Sequence, residues 1–225
     1  MTERDIAKMI DHTFLKPDGP EDAVEKLCAE AKERSFASVC VNPCETARAA
    51  ELLAGSGVEV CTVVGFPLGQ NTTATKIFEA REAIENGAGE LDFVINVRLL
   101  KYAPEKCLEE LKALARASKQ AKSGVTIKLI IECCLLDDRE KRLACRLAEE
   151  AGFDFVKTST GFSTGGATAA DVRLMRETVG GRLRVKAAGG IRTLESALEM
   201  ISAGADRLGC SAGIGILDTI KKGKQ

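Results

Sequence analysis

Short apolar runs rich in Val, Ile, Leu and Phe alternate with longer amphipathic stretches along the whole chain. The runs are IDHTFL near 10–15, FASVCVN near 36–42, VEVCTVVG at 58–65, ELDFVIN at 90–96, VTIKLIIE at 125–132, FDFVKTST at 153–160, LRVKAAGG at 183–190 and ADRLGCS at 205–211. Each has the length of a strand, and most have the β-branched content of one covered on both faces. Between them lie PEDAVEKLCAEAKER, TATKIFEAREAIENG, PEKCLEELKALARASKQAK and DDREKRLACRLAEEAG. Here apolar residues recur at three- and four-residue spacing with charge on the opposite side, which predicts helices lying on a core. Gly55, Gly87, Gly152 and Gly204 follow helical stretches, where a left-handed terminal residue closes the last turn.

Eight strands in strict alternation with helices, with no linker or low-complexity break, predict an α/β fold closed into one (β/α)8 barrel over residues 1–225. A helix at residues 2–9 precedes the first strand and is expected to cover the bottom of the barrel. An open doubly wound sheet is the competing architecture, but no G-x-G-x-x-G follows the first strand.

Composition narrows the function classes. The 32 basic and 33 acidic residues leave a net charge of -1, and the chain has one Tyr and no Trp. That is neither the electrostatic footprint nor the stacking surface of a nucleic-acid binder, and it gives no attraction to an anionic membrane. The N-terminus MTERDIAKMI is too charged for a signal peptide, and no segment approaches the ~20 apolar residues of a membrane span. The nine cysteines sit mostly in apolar runs without a C-x-x-C spacing. They read as reduced thiols of a cytoplasmic protein rather than as disulfides or a zinc site.

Chemistry is expected at the C-terminal ends of barrel strands. Asp92, Lys157 and Lys186 interrupt otherwise apolar runs there, and Lys128 has Glu132 four residues later on the same strand face. A single strand lysine ordinarily faces solvent or pairs with an acid. Several charges at similar levels of consecutive strands, in a fold covered outside by helices, instead form an internal polar site, because an unpaired buried charge is costly. A second ammonium ~5 Å from a lysine, at an effective dielectric of ~20, disfavours the charged form by roughly 3 kcal/mol. Such a pair can leave one neutral amine able to form a Schiff base, while a carboxylate moves protons through water. A metal-dependent aldolase would need several histidines, and His12 is the only one. Glycines at 161, 165–166, 189–190 and 209 follow the sixth, seventh and eighth strands, where barrels commonly bind phosphate through backbone N–H groups. Ser211 and Arg192 add a donor and a charge. The ligand expected is a small phosphorylated carbonyl compound.

The chain resembles the deoxyribose-phosphate aldolases, class I aldolases with a TIM-barrel fold. The motifs that carry the resemblance are IDHTFLKP at 10–17, VCVNP at 39–43, VVGFPLG at 63–69, GELDFVINV at 89–97, KLIIECCLL at 128–136, VKTSTGFSTGGAT at 156–168, VKAAGGIR at 185–192 and RLGCSAG at 207–213. The resemblance implies reversible cleavage of 2-deoxy-D-ribose 5-phosphate to D-glyceraldehyde 3-phosphate and acetaldehyde, without metal or organic cofactor. It implies an imine on Lys157, with Lys186 beside it keeping it neutral, Asp92 in a proton relay and Asp11 assisting. Gly161, Gly189, Gly190, Gly209 and Ser211 are implied at the phosphate end, with Thr158 and Lys128 supporting the reacting groups. Where some relatives carry a basic residue after KTSTG this chain has Phe162, and Ala212 stands where some have a second serine. The resemblance also implies a homodimer or homotetramer. The residues alone leave open an aldolase or dehydratase for another small phosphosugar, or a phosphosugar-binding barrel without activity.

Overall fold

A computed structural model describes residues 1–222; the last three positions of the expected 1–225 domain lie outside the described residues. Eight strands, β1 (Ile10–Phe14), β2 (Ser38–Val41), β3 (Glu59–Val64), β4 (Glu90–Val94), β5 (Thr126–Ile130), β6 (Phe155–Lys157), β7 (Arg184–Ala188) and β8 (Arg207–Cys210), form a closed barrel in sequence order. Every pairing is parallel, and β8 closes on β1 through Ile10↔Leu208, Asp11↔Gly209 and His12↔Cys210. This is the (β/α)8 TIM barrel, with all eight strands where the hydrophobic runs place them.

The helices are α1 (Glu3–Ala7), α2 (Ala23–Arg34), α3 (Thr46–Leu53), α4 (Thr73–Glu85), α5 (Val97–Tyr102), α6 (Pro104–Ala121), α7 (Asp138–Ala151), α8 (Ala169–Val179), α9 (Leu194–Ser202) and α10 (Gly213–Lys222). Helix α1 precedes β1 as expected and packs against α10. Helix α7 shows how local sequence sets an element. Its start is a reciprocal cap, in which the Glu140 N–H donates to Asp137 and the Asp137 N–H donates to Glu140. Its buried stripe, Ala144, Cys145, Leu147, Ala148 and Ala151, follows the helical period. It stops at Gly152, whose φ of 85° is the left-handed conformation that glycine adopts without strain. None of the helices among the described residues is long and apolar enough to cross a membrane.

The main core lies between the strands and the helical ring, where both meet as apolar layers. Seven cysteines are buried, Cys44 and Cys134 are exposed, and all nine thiols are free. Burial pushes Cys28 up to about 11 and Cys107, Cys145 and Cys210 up to about 12, so these thiols behave as small apolar side chains.

The strands end sooner than the apolar runs do. β5 stops at Ile130, and Glu132 turns out of it with a left-handed φ of 57°. β6 has only three residues, with Lys157 at its C-terminal end. From there the chain runs through 158–168 without a helix, forming a glycine-rich segment over the barrel mouth.

Candidate active site

Inside the barrel, register rather than sequence spacing decides which charges meet. Asp92 on β4 is paired in register with Lys128 on β5, and Lys157 on β6 with Lys186 on β7. In-register neighbours of a parallel sheet point to the same face, so these four side chains converge. Asp92 sits at the centre. Its Oδ1 accepts from Lys128 at 2.8 Å, and its Oδ2 accepts from Lys157 at 2.7 Å and from Lys186 at 2.8 Å. Asp11 on β1 lies 2.5 Å from Lys186 through Oδ2 and accepts from Arg207 at 2.5 Å through Oδ1. Glu90, one turn of the pleat below Asp92, lies 2.6 Å from Lys128 and 3.3 Å from Arg207.

These contacts close on themselves. Arg207, Asp11, Lys186, Asp92, Lys128 and Glu90 form a ring of alternating charge across strands β8, β1, β7, β4 and β5. With three cations and three carboxylates the ring is neutral. Lys157 attaches to it through Asp92 alone and adds one positive charge that no further carboxylate in the cluster offsets.

Burial and the ring act against each other on each member. Burial favours the neutral form of Asp92, but Lys128, Lys157 and Lys186 outweigh it and hold the carboxyl well below the usual range. Asp11 is likewise held low, because Lys186, Arg207 and Lys128 overcome its burial. Burial works against the Lys186 ammonium, yet Asp11 and Asp92 hold it above the ordinary lysine range. Lys128 behaves the same way under Asp92, Cys61 and Glu90. The direct repulsion expected between the ammonium groups of Lys157 and Lys186 is therefore mediated by a shared carboxylate oxygen.

Above the ring opens a cavity of about 360 Å³, within the range of small-molecule sites. Of the four ring and cluster cations only Lys157 lines it, still 97% shielded from bulk solvent at 3% exposure. Gly161, Gly189, Gly190, Arg192, Gly209 and Ser211 line it too. Gly189 must be glycine for two reasons. Its φ is 89°, and the Cβ of any other residue would stand 3.0 Å from the Cα of Gly166. That close approach lets the Gly189 carbonyl accept from the Ala167 N–H at 2.9 Å, fixing the 158–168 segment over the cavity. Gly189→Ala is expected to lower stability by about 1–3 kcal/mol, read from a denaturant titration.

Two side chains read as supporting groups take different positions from those the sequence suggests. Lys128 pairs with Asp92 and Glu90 beneath the cavity, not with Glu132, because Glu132 leaves the strand before the alternation can carry it inward. Thr158 does not line the cavity. Its hydroxyl donates to the Ala188 carbonyl and accepts from the Ala188 N–H, each at 3.1 Å, stitching the end of β6 to β7. Glu132 instead accepts from the Thr160 hydroxyl at 2.5 Å. Thr160 and Lys16 line the cavity and were not singled out from the sequence. Lys16 lies two residues past the end of β1, so the strand-end rule applied to every strand would have found it. Phe162, half exposed, packs edge-on to Phe66 at 5.2 Å and supplies an apolar wall where a basic side chain would supply charge.

Cys40, Cys61 and Asp92 bring possible metal donors within 4.8 Å of one another. The three ammonium groups already on Asp92 repel a cation there.

A family model described as DeoC/LacD family aldolase matches residues 6–218. The chain belongs to the DeoC/LacD aldolase family. It is an aldolase, a carbon–carbon lyase. It is 55% identical over 217 residues to a deoxyribose-phosphate aldolase of Lysinibacillus sphaericus, covering 96% of both chains. With a deoxyribose-phosphate aldolase of Streptococcus equi subsp. zooepidemicus it shares 57% over 219 residues, 97% of this chain and 96% of the relative. Among solved structures, the tetrameric deoxyribose phosphate aldolase of Aeropyrum pernix superposes with a TM-score of 0.91 at 35% identity, over 98% of this chain and 92% of the other. Of the buried cations in the barrel, Lys157 is the one that borders a shielded cavity where a small substrate can reach it.

Proposed function

We propose that this aldolase reversibly cleaves 2-deoxy-D-ribose 5-phosphate to D-glyceraldehyde 3-phosphate and acetaldehyde through an imine on Lys157. One observation carries the reading: Lys157 is the surplus cation of an otherwise neutral ring and the only member of the cluster that lines the cavity. Loss of its proton leaves the cluster electrically balanced, and the amine so formed faces the substrate.

The chemistry then runs in balanced steps. The Lys157 Nζ attacks the C1 aldehyde of the open-chain sugar, and uptake of one proton with loss of water leaves a protonated imine; that proton is returned when the final imine is hydrolysed. A base takes the proton of the 3-hydroxyl, the C2–C3 bond breaks, and its electron pair moves into the imine to give an enamine. The three-carbon fragment leaves as D-glyceraldehyde 3-phosphate. Protonation of the enamine at C2 and addition of water then release acetaldehyde and the free amine. Asp92 and Lys186 are the groups beside Lys157 that can steer these protons, with one or more waters between them and the sugar. Asp92 is held so strongly in its anionic form that it guides protons and stabilises the cationic imine rather than storing a proton itself. Asp11 keeps Lys186 charged and in place.

The phosphate belongs at the glycine-rich end of the cavity. Gly161, Gly189 and Gly190 bring backbone close to it, Ser211 precedes the N-terminus of α10, and Lys16 and Arg192 supply positive charge. Arg192→Ala is expected to raise KM for the phosphorylated sugar by about tenfold, one charge-assisted contact of roughly 1.5 kcal/mol. It should leave KM for unphosphorylated 2-deoxyribose unchanged, and steady-state kinetics on both sugars separates the two. The reading also places the protein in the cytoplasm as a single-domain homo-oligomer.

The test is to treat the enzyme with acetaldehyde and borohydride and map the peptides by mass. Reduction should add two carbons to the peptide holding Lys157. An adduct on another lysine, or none, would sink the mechanism. Release of acetaldehyde from 2-deoxyribose 5-phosphate tests the substrate, and a different aldehyde product would replace it.

A further inference from the structure

We propose that Glu90 and Arg207, neither of which lines the cavity, are positioning residues that set the charge on Lys157 by closing the ring beneath it. The inference rests on the reading of Lys157 as the imine-forming amine. Its basis is the way the ring is connected. Asp92 and Lys186 touch Lys157 or share its carboxylate, whereas the charged partners of Glu90 and Arg207 are other ring members. Arg207 spans Asp11 and Glu90, and its guanidinium lies 5.5 Å from the Phe155 ring. Without that link the ring would be two open ion-pair chains hanging from Asp92. With it, the charges beneath Lys157 cancel and the amine carries the only excess.

Other ionisable groups face this interior. Asp11 comes from β1, Cys40 from β2, Cys61 from β3, Asp92 from β4, Lys128 from β5, Lys186 from β7 and Cys210 from β8. Arg184, at the exposed foot of β7, lies 4.0 Å from the same Phe155 ring. Lys16 and Arg192 line the cavity beside Lys157. Replacing Arg207 removes one of the cations that hold Asp11 ionised, and replacing Glu90 removes one of the anions that hold Lys128 charged. Lys186 still holds Asp11 and Asp92 still holds Lys128, so the ring members keep their charges. Removing Glu90 leaves the ring one charge positive, which disfavours an ammonium at Lys157. Removing Arg207 leaves it one charge negative, which favours the ammonium. Each change spares a second partner for the neighbours it touches: Lys128 retains Asp92, and Asp11 retains Lys186.

The experiment measures the pH at which half-maximal trapping of acetaldehyde by cyanoborohydride occurs, read by intact mass, with peptide mapping to locate the adduct. The unmodified enzyme is compared with Glu90→Gln, Arg207→Gln, Arg207→Lys and the double variant Glu90→Gln/Arg207→Gln, each checked for folding by its melting curve. Glu90→Gln should move the midpoint down by about one unit and Arg207→Gln should move it up by about one unit. Arg207→Lys keeps the charge and should leave the midpoint in place, and the double variant should return it to the unmodified value. A purely structural role would lower the trapping rate of all four without moving midpoints in opposite directions. If Arg207→Gln does not fold, Glu90→Gln against Arg207→Lys still decides the matter. An unmoved Glu90→Gln midpoint, or shifts of the same sign for both single variants, would overturn the inference. Absence of a Lys157 adduct in the unmodified enzyme would instead overturn the imine reading on which it stands.

Discussion

Lys157→Met is expected to lower turnover of 2-deoxyribose 5-phosphate by about 10⁴-fold or more while the melting temperature stays level or rises. The two halves of this result have one cause. Methionine fills nearly the same volume as the lysine stem but offers no amine, so no imine forms. Its removal takes away the one buried cation that the ring does not balance, and the remaining three cations and three carboxylates keep every contact they have with each other. Kinetics and a thermal melt on the same preparation check both. Retained activity would require another amine, and a large loss of stability would mean that Lys157 is needed by the ring after all.

Asp92→Asn should differ in kind, since it removes the hub. Three ammonium groups converge on this carboxylate, and an amide offers one acceptor oxygen and turns a donor toward a cation. Breaking a buried pair by removing one partner typically costs about 3–5 kcal/mol, and activity should fall by about 10²–10⁴-fold for the lost proton steering. Urea titrations at neutral pH measure the first and steady-state rates the second. A variant as stable as the parent would show that the three lysines are not held by Asp92.

The same carboxylates govern the acid limb of stability. Asp11 and Asp92 are depressed in the folded state. Their contribution is therefore present above the unfolded value of about 3.9 and is lost as pH falls through the folded values. Lys128 and Lys186 are raised. Their contribution is intact below about 10.4 and is lost as pH climbs through their folded values. Urea midpoints should accordingly be flat from about pH 5 to 9 in these groups' contribution, with Asp92→Asn showing a shallower decline in acid than the parent.

How much of this was legible in the sequence differs by residue. The eight strands were, because a run buried on both faces is apolar throughout and its helix is periodic in charge. Lys157 and Lys186 stood out because charge inside such a run demands a partner. Gly189 and Gly190 stood out as a pair after a late strand. Glu90 and Arg207 did not, since each begins its strand, where a charged residue ordinarily meets solvent. Glu132 was misplaced because the two-residue alternation holds only while the chain remains a strand, and β5 ends two residues earlier. Thr158 was placed at the site by the resemblance of its motif; it lies just past the end of β6, where the Ala188 backbone takes up its hydroxyl.

Hydrophobic periodicity by itself determined the eight strands and their alternation with helices, from which a closed barrel was expected. These follow from local patterns that each element satisfies independently. Which carboxylate holds which lysine, and which lysine is left over, was decided only by the tertiary structure. Asp92 meets Lys186 across 94 positions of chain, and Arg207 meets Asp11 across 196. Barrel closure and strand register bring those groups within hydrogen-bond reach. Because electrostatic energy depends on distance in space, the surplus charge on Lys157 exists only once the barrel is closed.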